Sequence, residues 1–287
     1  MNILAYILNV AFARSESALG KYNAGRGGDT PAFNRAKSLA AALISGTVAL
    51  IGGLSFDTLT LWYALIYGGA LALSMHAGVT ALSLGNMGLV SMIASFSLVI
   101  PTIWGIIVLG EELSIIGIIG LLMLALSIVL LNIRRGSGRL SLKCWMYSLL
   151  TLLTNGVTSI VQKQHQVVRP GQYQTEFMLF SMAFAAFIFI VQGMLKGGKA
   201  TGEGKGGKII RFSLLLGAVS GTLNYLANYC ILILATMEDA SVMFPILSAG
   251  NAVGACVIGR IVFKERLTPL QIVSVFFGVI SVVLLKI

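Results

Sequence analysis

The residue with the clearest chemical potential is a carboxylate, Glu16, inside a stretch that is otherwise apolar enough to lie in a membrane. Asn9 and Asn23 share its face at helical spacing. Because a carboxylate is costly within a bilayer, its presence indicates a substrate or ion pathway. Two structural explanations stay open: Glu16 lies close enough to a helix end to be hydrated, or it pairs with Arg14 or Lys21.

A second polar stripe lies 142 residues further along the chain, the distance that separates Lys21 from Lys163. It carries no carboxylate. Its members are Thr151, Asn155, Thr158, Gln162 and His165. Since polar stripes that face lipid are costly, we expect the two stripes to face a shared cavity. The alternative is packing through hydrogen bonds between helices, worth about 0.6 kcal/mol each.

Two later apolar stretches add candidate substrate contacts. Asn224 and Asn228 lie one helical turn apart, so their amides can orient a polar ligand, and Tyr225 is adjacent. Ser248 and Asn251 follow in the next stretch, near a proline that can bend a helix. We predict that these side chains line the same cavity.

A lone histidine, His76, lies in the third apolar stretch. Histidine changes its charge near physiological pH, so this side chain can relay protons. The alternative is a packing residue whose ring nitrogens are satisfied by neighbours.

The composition places these residues in an all-α integral membrane protein, because 57% of residues are apolar and only 10% are charged. A membrane helix needs about 20 apolar residues. Ten such runs occur, at 2–22, 33–54, 58–84, 87–109, 114–133, 144–165, 175–195, 209–236, 240–263 and 268–286. The net charge of +10 comes from basic residues in connectors, which indicates membrane orientation and not a nucleic-acid partner.

The chain repeats internally. A shift of 154 residues lays the sequence around Glu111 on that around Glu265, and Ser127 on Ser281. We therefore predict two five-helix halves, residues 1–137 and 138–287, within ten transmembrane helices. Because five is odd, the second half is inverted, and the substrate site is expected near the bilayer midplane where the halves meet.

Basic residues cluster in the connectors after odd-numbered helices, where Arg35 and Lys37 are counted among them. The positive-inside rule makes these connectors cytoplasmic and places both termini outside. We expect a multi-pass protein of the cell membrane. The chain has no Asn-x-Ser/Thr sequon, which fits a bacterial inner membrane.

Two turns share the pattern Glu-x-Leu-Ser/Thr, at residues 111–114 and 265–268, and each precedes a glycine-containing apolar helix. With ten helices in two halves, the chain resembles EamA-like members of the drug/metabolite transporter superfamily. The resemblance implies transport of a small metabolite or drug. We expect the turn glutamates, Glu111 and Glu265, to be architectural because they lie at opposite membrane surfaces.

Other chemistries lack a motif. Residues 202–208 approach a phosphate-binding loop, but Ile209 replaces the required Ser/Thr. Cys144, Cys230 and Cys256 have no metal-ligand spacing, and we expect free thiols. We therefore predict no enzyme activity, no cofactor and no metal.

The leading hypothesis is a secondary transporter that works by alternating access and is coupled to protons through Glu16. An alternative is an uncoupled facilitator or exchanger, with Lys21 and Lys163 binding an anionic metabolite. A third is a membrane sensor or assembly subunit that transports nothing. The expected partners are a small-molecule substrate, the lipid bilayer and protons, with the chain a monomer or homodimer.

Overall fold

The computed structural model describes residues 3–84, 96–132, 141–195, 206–262 and 269–285. Within these ranges the regular structure is helical and contains no strand. The α-helices are α1 (Ile3–Gly25), α2 (Thr30–Gly52), α3 (Thr58–Leu84), α4 (Val99–Ile107), α5 (Ile115–Asn132), α6 (Leu142–Val168), α7 (Gln174–Leu195), α8 (Gly207–Met237), α9 (Ala240–Ile261) and α10 (Pro269–Leu284). The all-α prediction is confirmed for this part of the chain. The first part of the predicted fourth run, residues 87–95, lies outside it.

Helix starts follow from capping residues. The Asp29 carboxylate accepts a hydrogen bond from the Ala32 N–H at 2.7 Å, and Pro31 lies in the first turn of α2. Ser141 caps α6 in the same way, through the N–H of Cys144 at 3.2 Å. These side chains satisfy N–H groups that the helix itself leaves without partners.

Six of the described helices are long and apolar enough to cross a membrane, which indicates a membrane protein. They are α2, α3, α6, α7, α8 and α9. Large apolar side chains are widely exposed on the surface, among them Ile51 at 82% and Leu142 at 78%. Helix α1 is not among the six, and it contains Arg14, Glu16 and Lys21.

Eight helices pack in a closed ring, in the order α1, α8, α2, α7, α3, α6, α4, α9 and back to α1. Helices α6 and α8 also contact each other across the ring. Helices α5 and α10 form a separate pair that packs on α9. The ring therefore brings side chains of α1, α2, α3, α6 and α8 towards one region.

Glycines let two neighbouring pairs in the ring approach to backbone contact. A Cβ on Gly221 of α8 would overlap the Lys37 carbonyl oxygen of α2 and lie 2.9 Å from Ala40 Cβ. A Cβ on Gly68 of α3 would lie 2.5 Å from the Ser181 carbonyl oxygen of α7. The position of Lys37 is therefore fixed by its backbone contact with α8.

Two hydrogen bonds between helices, one from α8 to α1 and one between α3 and α6, involve residues at related sequence positions. The Ser213 hydroxyl of α8 donates to Asn23 Oδ1 of α1 at 2.8 Å. The Thr60 hydroxyl of α3 lies 3.0 Å from His165 Nε2 of α6. His165 is 142 residues after Asn23, so the α1–α8 contact has a counterpart in α6–α3.

Candidate functional site

The Glu16 carboxylate of α1 forms an ion pair with Lys37 of α2, with 2.5 Å between Oε1 and Nζ. Its second oxygen, Oε2, accepts a hydrogen bond from Asn224 Nδ2 of α8 at 3.1 Å. The side chains of Lys37 and Glu16 are only 15% and 17% exposed. Glu16 is therefore held by a cation and an amide from two other helices.

The polar contacts continue from α8 to α3 and α6. Asn228 Nδ2 donates to the backbone oxygen of Asn224 at 2.9 Å. Asn228 Oδ1 accepts from the Tyr67 hydroxyl at 2.8 Å and from Gln162 Nε2 at 3.3 Å. We call these side chains the central polar cluster; it consists of Glu16, Lys37, Tyr67, Gln162, Asn224 and Asn228.

Lys37, the cation beside Glu16, is neither of the two partners that the sequence suggested, Arg14 and Lys21. Arg14 instead donates from Nε to Asn251 Oδ1 of α9 at 3.0 Å, and Lys21 lies at an exposed position. The assignment of Lys37 to a connector was wrong, because α2 begins at Thr30 and places Lys37 two turns inside the helix. The predicted run 33–54 already contained Lys37, and the start signals Asp29 and Pro31 place it still further inside the helix.

The polar stripe of α1, which consists of Asn9, Glu16 and Asn23, serves partly to pack α1 against α8. Asn9 is 2% exposed and donates to the Ala227 backbone oxygen of α8 at 2.8 Å. Asn23 is also buried and accepts from Ser213. Glu16 is the stripe residue that reaches the central polar cluster, while the two asparagines hold α1 against α8.

The α6 stripe contributes one residue to the cluster, Gln162. The hydroxyls of Thr151 and Thr158 donate to backbone oxygens of α6 itself. Asn155 accepts from the Ser74 hydroxyl of α3 at 2.5 Å. Asn155 therefore bonds α6 to α3, and Gln162 is the stripe residue that bonds Asn228 of α8.

The remaining candidates lie apart from the cluster. Tyr225 is buried and stacks on Tyr229 with ring centroids 6.0 Å apart. Ser248 is buried within α9, and Asn251 pairs with Arg14. His76 is exposed, and its Nδ1 lies 3.3 Å from Gln192 Nε2 of α7.

Lys163, one of the two lysines considered for an anionic ligand, is already occupied. Its ammonium donates to the backbone oxygens of Ala235 at 3.2 Å and Glu238 at 2.5 Å. Glu111 Oε1 lies 3.9 Å away. The Glu111 carboxylate also accepts from the N–H groups of Ala240 at 2.9 Å and Ser241 at 2.7 Å, so it caps α9.

A third ion pair lies at the loop between α2 and α3. Asp57 caps α3 by accepting from the Thr60 N–H at 2.9 Å and hydroxyl at 2.8 Å, and Arg169 Nη2 lies 3.3 Å away. These hydrogen bonds from Thr60, with the Arg169 guanidinium, hold the pKa of Asp57 below its ordinary value. The carboxylate is thus tied to its helix and to the α6–α7 connection.

For the ranges that the structure describes, no set of three His, Cys, Asp or Glu side chains is arranged to hold a metal ion. Cys144, Cys230 and Cys256, all within the described ranges, are buried and form no disulfide. The central polar cluster offers an ion pair together with amide and hydroxyl groups that form hydrogen bonds.

The fold is similar to that of a protein of known crystal structure, with a TM-score of 0.77 and 15% sequence identity. The match covers 98% of this chain and 94% of that one. The sequence matches no protein-family model and no curated protein. At this identity the similarity concerns the fold alone.

Proposed function

We propose that the protein is a secondary transporter that moves a small metabolite or drug-like molecule across a membrane by alternating access. The observation that carries the proposal is the central polar cluster, in which side chains of five helices meet between apolar helices. Charged groups at such positions are costly and are retained where they serve a substrate or ion pathway. Amides and a tyrosine hydroxyl beside an ion pair can orient a polar solute.

Alternating access is attributed to two inverted halves, residues 1–137 and 138–287. The duplicated contacts support this division: Asn23 with Ser213 has its counterpart in His165 with Thr60. The close approach of α8 to α2 likewise has its counterpart in α3 and α7. A binding site between inverted halves is exposed to either side when one half rocks against the other. The boundary at 137 and 138 lies outside the described residues.

Glu16 is the proposed coupling group. Its negative charge holds Lys37 and the Asn224 amide, so protonation releases both for other partners. A bound substrate and a bound proton are then linked through the same three side chains. In this proposal Glu16 acts as one partner of an exchangeable ion pair with Lys37 and not as a lone carboxylate.

Membership of the EamA-like drug/metabolite transporters is proposed on the paired Glu-x-Leu-Ser/Thr turns. With it we propose ten membrane spans, a multi-pass location in a bacterial inner membrane, and both termini outside. A reporter fused after residue 287 tests the orientation. We expect a reporter that is active only in the periplasm to be active in this fusion. A reporter signal from the cytoplasm contradicts the proposed orientation.

The function is tested with purified protein in liposomes. A thermal-shift panel of amino acids, nucleosides, sugars, organic anions and organic cations first selects a stabilising solute. Uptake of that solute above the rate of protein-free liposomes is expected. Accumulation driven by a pH gradient distinguishes a coupled transporter from a facilitator. A stabilising solute with no flux contradicts transport and favours a sensor.

A further inference from the structure

A cavity of about 180 Å³ lies between α2, α3 and α7. It lies where α2 begins and α7 ends. Its polar lining includes Thr30, Asn34, Arg35, His76 and Gln192. The cavity is smaller than the roughly 300 to 1,000 Å³ of pockets for drug-sized ligands, so it suits a small molecule.

Arg35 is the charged group of the cavity wall. Its Nε lies 3.4 Å from the backbone oxygen of Pro31, and the guanidinium faces Gly193, where a Cβ would lie 3.3 Å from Nη1. Over the ranges described, no carboxylate lies within 4.0 Å of this guanidinium. A guanidinium presents several donors in a fork that matches an anion such as a carboxylate.

Polar and apolar side chains complete the wall. Gln192 Nε2 lies 3.3 Å from His76 Nδ1, so the amide and the imidazole are held together at one side. Met75 and Phe189 supply apolar surface. The lining thus combines one cation with polar side chains and an apolar surface, which fits an anion with a short apolar body.

One face of α2 carries residues of both the cavity wall and the central polar cluster. Thr30, Asn34 and Lys37 follow at intervals of four and three residues, which is one face of α2. Asn34 lies in the cavity wall and Lys37 pairs with Glu16, about 4.5 Å further along the helix axis. Asn34 of the cavity wall and Lys37 of the ion pair therefore lie on one face of α2, about one helical turn apart.

The charges of the cavity and of the nearby ion pair favour an anion. Arg35 in the cavity wall and Lys37 in the central polar cluster are cations on different sides of α2, and Glu16 is the carboxylate that pairs with Lys37. An anionic solute reduces this excess of positive charge, whereas a cationic solute increases it.

We infer that the α2–α3–α7 cavity is the access site for a small organic carboxylate, with Arg35 as its anion contact, and that the transported substrate belongs to this class. This inference rests on the proposed transport function. It moves the anion site of the facilitator hypothesis from Lys21 and Lys163 to Arg35. The carboxylate binds Arg35 first and then competes with Glu16 for Lys37.

The test compares carboxylates with amines of the same size. Butyrate and benzoate, with butylamine and benzylamine, are titrated against detergent-solubilised protein by thermal shift. The variant is Arg35→Gln, and the control is Arg211→Gln, which removes an equal charge from an exposed position on α8. We expect the carboxylates to stabilise wild type and control, and Arg35→Gln to raise their dissociation constants roughly tenfold or more.

Equal stabilisation by amines and carboxylates overturns the inference, as does an unchanged carboxylate affinity in Arg35→Gln. If Arg35→Gln does not fold, Arg35→Lys keeps the charge and loses the fork, and a several-fold weaker affinity is expected; unchanged affinity counts against the site. Stabilisation by anionic phosphatidylglycerol but not by free carboxylates, lost in the variant, overturns the assignment to a soluble substrate.

These measurements distinguish a failure of the carboxylate assignment from a failure of the transport function. Carboxylate binding that needs Arg35 but is accompanied by no flux in liposomes refutes the transport function and leaves an anion site. Flux of another solute that is unchanged in Arg35→Gln leaves transport standing and refutes the carboxylate assignment.

Discussion

Gly221→Ala is predicted to separate α8 from α2 at the point where Lys37 is positioned. The new Cβ would overlap the Lys37 carbonyl oxygen and lie 2.9 Å from Ala40 Cβ. Carbon atoms normally approach to about 3.5 to 4.0 Å, so the helices must move apart by roughly 0.6 to 1.1 Å. Both obstacles belong to backbone or Cβ atoms, which cannot rotate away.

The expected cost is about 1 to 3 kcal/mol, the range for overpacked interiors. Gly46→Ala is the matched control, because the same change inside α2 places a Cβ 3.5 Å from Leu179 Cδ1, an ordinary contact. Both variants gain the same helix propensity, up to about 1 kcal/mol, so their difference isolates the collision. The difference in unfolding midpoint is expected to be roughly 2 to 12 °C.

The assay is thermal unfolding in detergent, with solute uptake in liposomes as a second readout. Gly221→Ala is expected to unfold earlier than Gly46→Ala and to slow transport, since Lys37 moves away from Glu16. Equal midpoints for the two variants would refute the reasoning that backbone contact between α2 and α8 positions the ion pair.

Three further predictions concern the close packing of α3 on α7, the cap of α9 and the cap of α3. Gly68→Ala should cost about as much as Gly221→Ala, within the same 1 to 3 kcal/mol, because it collides with the Ser181 carbonyl oxygen; unfolding like that of the Gly46→Ala control would count against duplicated packing. Glu111→Gln should cost about 1 kcal/mol through the α9 cap, measured by thermal unfolding against exposed Glu112→Gln, and equal midpoints would contradict it. The stabilisation by Asp57, whose pKa is lowered in the fold, is fully present above the unfolded pKa of about 3.9 and is lost as pH falls through the folded pKa. Wild type should therefore exceed Asp57→Asn in midpoint at pH 6 and approach it in acid, and a pH-independent difference would refute this.

Helix type and number followed from local signals that survive in any tertiary context. Apolar runs of membrane length with few charged residues favour helices, because a helix satisfies its backbone hydrogen bonds within one segment. Start signals such as Asp29 and Ser141 were also readable, since a cap acts on its own first turn. Ten predicted runs correspond to ten described helices, although six of them meet the length and hydropathy of a membrane span.

The partner of Glu16 could not be predicted, because it depends on how α2 packs and not on spacing. Lys37 is 21 residues away and lies within the predicted run 33–54, yet it was counted with the connector before that run. Of the stripe residues, Asn9 and Asn155 bond neighbouring helices, as hydrogen-bonded packing predicts. Periodicity identifies a face; the three-dimensional packing decides which of its side chains meet.

The most direct test of transport through the Glu16–Lys37 pair is pH-gradient-driven uptake into proteoliposomes by wild type, Glu16→Gln and the control Ser17→Ala. Ser17 is exposed and adjacent to Glu16 on α1, so its hydroxyl can be removed without touching the pair. We expect Ser17→Ala to accumulate solute like wild type and Glu16→Gln to lose gradient-driven accumulation. Undiminished accumulation by Glu16→Gln would contradict the coupling role of Glu16 and, with it, proton-coupled transport that depends on the Glu16–Lys37 pair.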